Sequence, residues 1–150
     1  MKNKTLVGRT EIVSFPELGI DVIPAKIDTG AYSTALHASK IWIEIEDEKE
    51  VLHFELPRLK GEPMRCCKSK SFYQKKVRSS NGRLEKRYII KTKMILGGIE
   101  RITHVGLTNR DKMRFPVLVG RRILRQGFLV DVSKSNIYHS KSTNSSKKQA

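Results

Sequence analysis

The amino-acid sequence predicts an all-β domain, a small closed or sandwich-like barrel of strands with one short helix. Three observations predict it. Apolar residues alternate with polar residues at a period of two, turn-forming residues separate the alternating segments, and no long amphipathic helical pattern occurs. The chain has 150 residues, which is enough for one domain with a single hydrophobic core.

Two alternating segments predict the first hairpin. In residues 40–47, KIWIEIED, isoleucines alternate with tryptophan and glutamate, which is the period of a strand. Residues 51–56, VLHFEL, place three apolar side chains on one face of a second strand. The polar residues 47–49 between them are therefore predicted to form the turn.

A second hairpin is predicted further along the chain, between residues 87–96 and residues 99–107. Both segments are rich in β-branched residues, which favour strands. Gly97 and Gly98 lie between them and permit the positive φ angles of a tight turn. The two segments are therefore expected to pair antiparallel.

The last part of the chain carries two short apolar segments, 115–120 and 128–132, that predict buried strands. RRILRQ, residues 121–126, predicts the one short helix between them. Residues 139–150 are rich in serine and lysine without apolar periodicity, which is typical of a disordered basic tail. The folded domain is therefore expected to cover residues 1–138.

The net charge of +15 is the largest anomaly of composition. Residues 65–93 alone hold eleven Lys/Arg and one acid, so that they supply +10 of it. Such a segment implies an acidic partner: nucleic acid, an anionic membrane surface or an acidic polypeptide. No apolar run approaches the ~20 residues that span a bilayer, and the N-terminus lacks the apolar core of a signal peptide. We therefore expect a cytoplasmic protein without a membrane partner.

One segment, AKIDTGAYSTALHA (25–38), ends an apolar run in an acid, Asp28. Thr29 offers a hydroxyl within the loop, Gly30 permits a sharp turn that brings its N–H near the carboxylate, and Ala31 adds no hydroxyl that would favour the ionised form. Peptide hydrolysis needs both a base for water and an acid for the substrate. Two carboxyl groups that share one proton supply both, so Asp28 is a candidate catalytic residue.

Two motifs of the chain resemble those of a known class of peptidases. IDTGA (27–31) resembles the active-site motif of aspartic peptidases, and VLVGRRIL (117–124) resembles the second signature of their retroviral-type, single-lobe members. Taken in order, AKIDTGAYSTALHA, VRSSNG, LTNR, FPVLVGRRIL and FLVDVSKSNI resemble the bacterial retropepsin-like RimB family, over about residues 6–138. That family has also been labelled ATP-dependent zinc protease.

The resemblance implies a retropepsin-like closed β-barrel and a hydrolase that acts as a homodimer. Each chain would supply one catalytic residue, Asp28, at the two-fold axis. Thr29 would form a hydrogen bond across the dimer, and Gly30 and Ala31 would line the substrate cleft. One such motif in one domain fits this arrangement, because an isologous interface places a residue opposite its own copy.

The second motif places Gly120 and Arg121 beside the catalytic loop, again by resemblance. Retroviral members carry an acid at the position of Tyr32, where it pairs with the arginine that matches Arg121. Tyr32 cannot form this ion pair. Arg121 is therefore expected to find another partner or to face the substrate, whereas Arg122 is expected to be structural.

The best match to the flap of retroviral members is RSSNGRLE (78–85), in which Asn-Gly is a strong turn signal. A basic flap selects acidic substrates. In the RimB family, the implied substrate is the C-terminal tail of a small-subunit ribosomal protein. An ATP-grasp ligase adds glutamates to this tail, and the peptidase trims them. The candidate substrate-binding residues are Arg78, Ser79, Ser80, Asn81, Gly82 and Arg83.

Two other classes of function stay open. Phe72 and Tyr73 interleave with lysines, as in surfaces that bind RNA or the ribosome, with or without catalysis. A zinc peptidase needs three or four ligands, usually closely spaced. The four histidines show no HExxH spacing, and the adjacent Cys66 and Cys67, which we expect to be reduced thiols, are not CxxC. No ATP-binding motif occurs either. From the ligand spacing and the missing motif together, we expect neither a metal nor another cofactor.

Overall fold

The computed structural model describes residues 3–56, 63–78, 81–109 and 114–138. Strands dominate these residues, and the only α-helix among them is short. The all-β prediction is therefore confirmed. No helix in the described ranges is long and apolar enough to cross a membrane. The predicted tail, 139–150, lies outside the described residues.

The strands are β1 (Thr5–Gly8), β2 (Thr10–Phe15), β3 (Ile20–Ile27), β4 (Thr34–His37), β5 (Lys40–Glu46), β6 (Lys49–Glu55), β7 (Cys66–Ser69), β8 (Phe72–Arg78), β9 (Leu84–Leu96), β10 (Ile99–Thr108), β11 (Val117–Val119) and β12 (Phe128–Asp131). The helix α1 spans Arg121–Leu124, and a 3-10 turn spans Pro16–Leu18.

Six strands close a barrel in the order β10-β4-β11-β3-β2-β9, because β9 pairs back with β10. Closure removes the free sheet edges that would otherwise invite pairing with other chains. β8 pairs with β9 outside this ring, β5-β6-β7 form a separate three-stranded sheet, and β1 pairs with β12 in parallel. The predicted closed barrel is confirmed.

Both predicted hairpins are present. In the β5–β6 hairpin Glu46 lies opposite Lys49, so the turn consists of Asp47 and Glu48, with φ angles of 51° and 65°. Two consecutive positive φ angles define the type I′ turn, whose twist matches that of antiparallel strands. The turn is one residue shorter than the 47–49 predicted from polarity, because Lys49 already belongs to β6.

The β9–β10 hairpin has the same geometry. Leu96 lies opposite Ile99, and Gly97 and Gly98 have φ angles of 60° and 77°. Glycine has no Cβ and adopts these angles without steric cost. The late strands and the short helix also form where the apolar pattern predicts them, as β11, α1 and β12.

The core is one contiguous apolar cluster that joins the barrel to the three-stranded sheet, since Leu52 and Phe54 of β6 belong to it. The strands of the barrel point alternate side chains inward, as the period of two requires. The largest fully buried apolar side chains are Phe15, Phe54, Ile20, Ile23, Leu36, Leu52, Ile90, Met94, Leu96 and Ile123.

One carboxylate, Glu11 of β2, is completely buried. It accepts the N–H groups of Gly8 at 2.8 Å, Ile137 at 3.3 Å and Tyr138 at 3.2 Å. A buried charge is tolerated only when such donors replace its water. Glu11 therefore fastens the C-terminal end of the described chain to the N-terminal strands.

We expect Glu11→Ala to lower the free energy of unfolding by about 2–4 kcal/mol, because one buried and two part-buried N–H groups lose their acceptor. Urea denaturation followed by circular dichroism measures the loss. Glu100→Ala, at an exposed position of β10, is the matched control and should change stability by less than about 0.5 kcal/mol. Equal stability of the two variants would contradict the structural role of Glu11.

Candidate active site

Asp28 lies at the point where the two sequence motifs meet. It directly follows β3, and its N–H donates to the carbonyl of Val119 at 2.9 Å. β3 and β11 are parallel, with Val119 opposite Ile27. The carboxyl ends of the two strands therefore lie side by side and present Asp28 at the edge of the barrel.

The loop after β3 orients the carboxylate of Asp28. Oδ1 accepts the N–H of Gly30 at 3.0 Å, and the carbonyl of Asp28 accepts the N–H of Ala31 at 3.2 Å. A Cβ at position 30 would come within 3.3 Å of Oδ1, so glycine permits this close turn. Asp28 is half-buried, and in the described part of the chain its second oxygen, Oδ2, has no hydrogen-bond partner. One oxygen is thus held while the other stays available.

Gly120 lies where the backbone of the second motif crosses the loop that follows Asp28. Its N–H donates to the buried Oγ1 of Thr34 at 3.2 Å. A Cβ at position 120 would come within 2.5 Å of the Ser33 carbonyl oxygen and 2.6 Å of the Tyr32 carbonyl oxygen. Only glycine fits this crossing without a backbone shift.

The helix α1 begins against the same loop. The N–H of Arg121 donates to the carbonyl of Ala31 at 2.7 Å, and that of Arg122 donates to the carbonyl of Tyr32 at 2.9 Å. The first N–H groups of a helix have no partner within it, and here the loop supplies their acceptors. The arrangement fixes the loop from its C-terminal side.

Arg121 has partners other than the acid that retroviral members provide. Its Nη1 donates to the carbonyl of Thr29 at 3.0 Å, and its guanidinium carbon lies 5.9 Å from the centre of the Tyr32 ring. The distance fits a cation–π contact. Arg121 therefore contacts the backbone of the Asp28 loop and the ring of Tyr32, so it has found another partner, as the sequence led us to expect.

The predicted flap forms a hairpin of β8 and β9 in which Arg78 lies opposite Leu84. Nη1 of Arg78 donates to the carbonyl of Gly82 at 2.9 Å, and the N–H of Arg83 donates to Oδ1 of Asn81 at 3.2 Å. The structure places these four candidate residues at or near the tip of the hairpin. Ser79 and Ser80 lie outside the described residues.

Three potential metal ligands meet on the three-stranded sheet. Nε2 of His53 lies 3.1 Å from Oε2 of Glu44 and 3.0 Å from Oε2 of Glu46, and the ammonium group of Lys68 lies 2.9 Å from Oε1 of Glu46. Lys68 and then His53 lower the pKa of Glu46 through hydrogen bonds. The sequence spacing missed the cluster because it forms across strand pairs. The cluster is a hydrogen-bonded network that includes the ammonium group of Lys68.

The two cysteines are free thiols, as expected. Cys66 is exposed, whereas Cys67 is buried and its thiol lies 3.5 Å from the carbonyl oxygen of Leu18. Burial raises the pKa of the Cys67 thiol to about 11. Since the thiolate is the nucleophile, Cys67 is unsuited to nucleophilic catalysis at neutral pH.

A cavity of about 520 Å³ adjoins the Asp28 loop, and no sequence motif predicts it. Ile27, which precedes Asp28, and Leu118, which precedes Val119, belong to its wall. Three basic side chains also line it, and we call it the basic cavity: Arg9, Lys26 and Arg114. These three residues lie far apart in the sequence, so no local motif predicts that they meet.

We expect Gly120→Ala to lower the free energy of unfolding by about 1–3 kcal/mol, because the added methyl group meets backbone atoms that cannot rotate away. Thermal and urea denaturation measure the change. Gly106→Ala on β10 is the matched control, since its nearest neighbour is the flexible side chain of Arg87 at 3.2 Å. If both variants are equally stable, the crossing at Gly120 is looser than the structure indicates.

Comparisons with known proteins agree with this geometry. The model of the RimB-like family, described as "Retropepsin-like aspartic endopeptidase RimB", matches residues 6–141. A relative from Shewanella halifaxensis, described as "Probable alpha-L-glutamate ligase", is 36% identical over 135 residues, which cover 89% of this chain and 30% of the relative. A relative from Parasynechococcus marenigrum with the same description is 34% identical over 138 residues, covering 91% of this chain and 30% of the relative. The chain thus spans less than a third of the length of these relatives.

A solved structure also matches. The crystal structure of a protein of unknown function from Legionella pneumophila is 28% identical, with a TM-score of 0.72. The match covers 89% of this chain and 97% of the other. The fold and the sequence thus point to the same group of proteins. Since the family model matches most of the chain, the chain belongs to the RimB-like family of retropepsin-like aspartic endopeptidases.

Proposed function

We propose that the chain is an aspartic endopeptidase that works as a homodimer, with the Asp28 residues of the two subunits sharing one proton at the two-fold axis. The observation that carries this proposal is the geometry of the loop. Asp28 is half-buried, one of its oxygens is held by the N–H of Gly30, and the other is available. The close approach of Gly120 to the backbone of Tyr32 and Ser33 fixes the C-terminal part of this loop.

The surroundings of Asp28 support a dimer. In the described residues, no second carboxylate bonds to Asp28, so the partner acid comes from another copy. The loop is accessible to such a copy, since Thr29 and Gly30 are exposed and Tyr32 is 50% exposed. The hydroxyl of Thr29 has no hydrogen-bond partner within the described ranges. This leaves it free for the cross-subunit bond that the family resemblance implies.

The shared proton accounts for the reaction. The ionised Asp28 removes a proton from water, whose oxygen bonds to the peptide carbonyl carbon. The Asp28 of the partner subunit gives its proton to the carbonyl oxygen, so that a neutral tetrahedral intermediate forms. The C–N bond then breaks as the first carboxyl group gives its proton to the leaving amine. One hydroxyl of the intermediate returns its proton to the carboxylate of the partner's Asp28 as the C=O bond re-forms, so the starting pair is restored.

The substrate we propose is an acidic, glutamate-extended C-terminal tail, such as that of a small-subunit ribosomal protein. Arg78 and Arg83 lie at the flap hairpin, and the segment 65–93 carries ten of the fifteen net positive charges. Positive charge around a cleft raises the encounter rate with acidic chains and favours their binding. Gly30 and Ala31 would line the cleft beneath the flap.

The relatives support the same substrate class. Their description names an α-L-glutamate ligase, but more than two thirds of each lies outside the part that matches this chain. The ligase description therefore covers far more than this domain. A protein that joins glutamate and also carries a retropepsin-like domain fits a peptidase that acts on glutamate-containing chains.

A second candidate is a basic β-domain that binds RNA or the ribosome. Tyr73 is 43% exposed, and its hydroxyl lies 3.0 Å from Nδ1 of His104, which favours an aromatic and basic surface. Phe72, however, packs against the core and Tyr88. Only one of the two predicted aromatic residues is thus available for stacking, and the peptidase is the better supported function.

Asp28→Asn keeps the shape of the side chain and removes the proton transfer. We expect it to lower the rate of glutamate release from an oligoglutamate-tailed peptide by about 10³-fold. Mass spectrometry of the products measures the rate. Asp47→Asn, in the exposed β5–β6 turn, is the matched control and should keep wild-type activity.

Two results would contradict the proposal. If Asp28→Asn cleaves as fast as the wild type and a chelator stops cleavage, the chain is a metal-dependent peptidase. If neither protein cleaves any peptide while both bind RNA with equal affinity, the binding-domain alternative is correct.

A further inference from the structure

We propose that the basic cavity is a specificity pocket that binds the carboxylate side chains of an acidic substrate beside Asp28. Arg9, Lys26 and Arg114 are its specificity-determining residues. The inference rests on the proposed function and deepens it. It assigns substrate recognition to residues outside the flap.

The position of the cavity supports this assignment. Lys26 lies opposite Leu118 in the parallel pair of β3 and β11, and both line the cavity. Asp28 lies two residues after Lys26, and Val119 directly follows Leu118. The N–H of Asp28 donates to the carbonyl of Val119, so both strands lead from the cavity to Asp28. A substrate side chain in the cavity is therefore held by the same two strands that position Asp28.

The charges in the cavity are unbalanced. Arg9 lies between β1 and β2, Lys26 on β3 and Arg114 ahead of β11, so three separate segments converge. None of the described residues that line the cavity is acidic. Within the described residues, none of the three basic side chains forms an ion pair. Unpaired like charges in a concave site create a focused positive potential, which a carboxylate neutralises.

The rest of the lining matches an acidic amino-acid side chain. Phe115 and Leu118 offer an apolar wall for methylene groups, and Ser135 adds a hydroxyl. Nη1 of Arg9 donates to the carbonyl of Val132 at 3.3 Å, which orients the guanidinium and leaves its other N–H groups available. The volume lies within the range of about 300–1,000 Å³ that is usual for ligand sites.

An acidic peptide suits the cavity better than a nucleic acid does. Single-stranded nucleic acids are held by exposed aromatic side chains on which successive bases stack. Phe115 is the one aromatic residue among the described residues of the lining, and it is half-buried. A pocket with three cations and one apolar wall instead pairs each carboxylate with a charge-assisted hydrogen bond.

Binding to the Asp28→Asn protein tests the pocket without cleavage. The probes are a fluorescent oligoglutamate peptide and its oligoglutamine counterpart, read by anisotropy. We expect the glutamate peptide to bind, and the double variant K26Q/R114Q in the same background to weaken it about 100-fold, or tenfold for each charge. Lys40→Gln, an exposed position on β5, is the matched control and should change nothing. Thermal denaturation confirms that each variant is folded.

The outcomes separate the pocket from the proposed function. Unchanged glutamate binding in the folded double variant overturns the pocket, whatever the activity of the wild type. Equal affinity for the two peptides, or tighter binding of single-stranded RNA that depends on Lys26 and Arg114, also overturns it. If the peptide binds through the cavity but the wild-type chain does not cleave it, the pocket stands and the proposed function fails.

Discussion

The close backbone crossing at Gly120 is the constraint on which the rest of the site depends. A side chain there would lie within 2.5 Å of the Ser33 carbonyl oxygen, so glycine alone lets the second motif reach the loop of the first. Because the crossing is this close, the next two N–H groups donate to loop carbonyls, and Nη1 of Arg121 donates to the backbone carbonyl of Thr29. The Asp28 loop is therefore held by backbone hydrogen bonds, with Tyr32 at the position where retroviral members carry an acid.

The barrel supports this crossing through strand pairing. β11 is short, yet it pairs in parallel with β3 and antiparallel with β4, the two strands that flank the Asp28 loop. Its three residues are all buried. Any shift of β11 would move both ends of the loop together. Closure of the barrel around the apolar core thus keeps Asp28 in position, while the β8–β9 hairpin extends outside the ring.

Local patterns in the sequence predicted much of the fold and the loop that carries the candidate residue Asp28. Alternation predicted β5 and β6, Gly97-Gly98 predicted the second turn, and the Asp28 motif predicted the loop. The features that local patterns did not predict depend on contacts between segments that lie far apart in the sequence. Glu11 lies in phase with the buried Val13 and Phe15, and two of its three donors come from the other end of the chain. The basic cavity likewise joins residues from distant segments, so no short motif reveals it.

The central claim is that two Asp28 residues from different subunits act as one unit, and subunit mixing tests it most directly. Wild-type and Asp28→Asn chains are mixed in equal amounts at constant total concentration, and glutamate release is measured after the subunits have exchanged. The account predicts about one quarter of the wild-type activity, because only dimers of two wild-type chains share a proton between two aspartates. A value of about one half, as independent active sites would give, would contradict it.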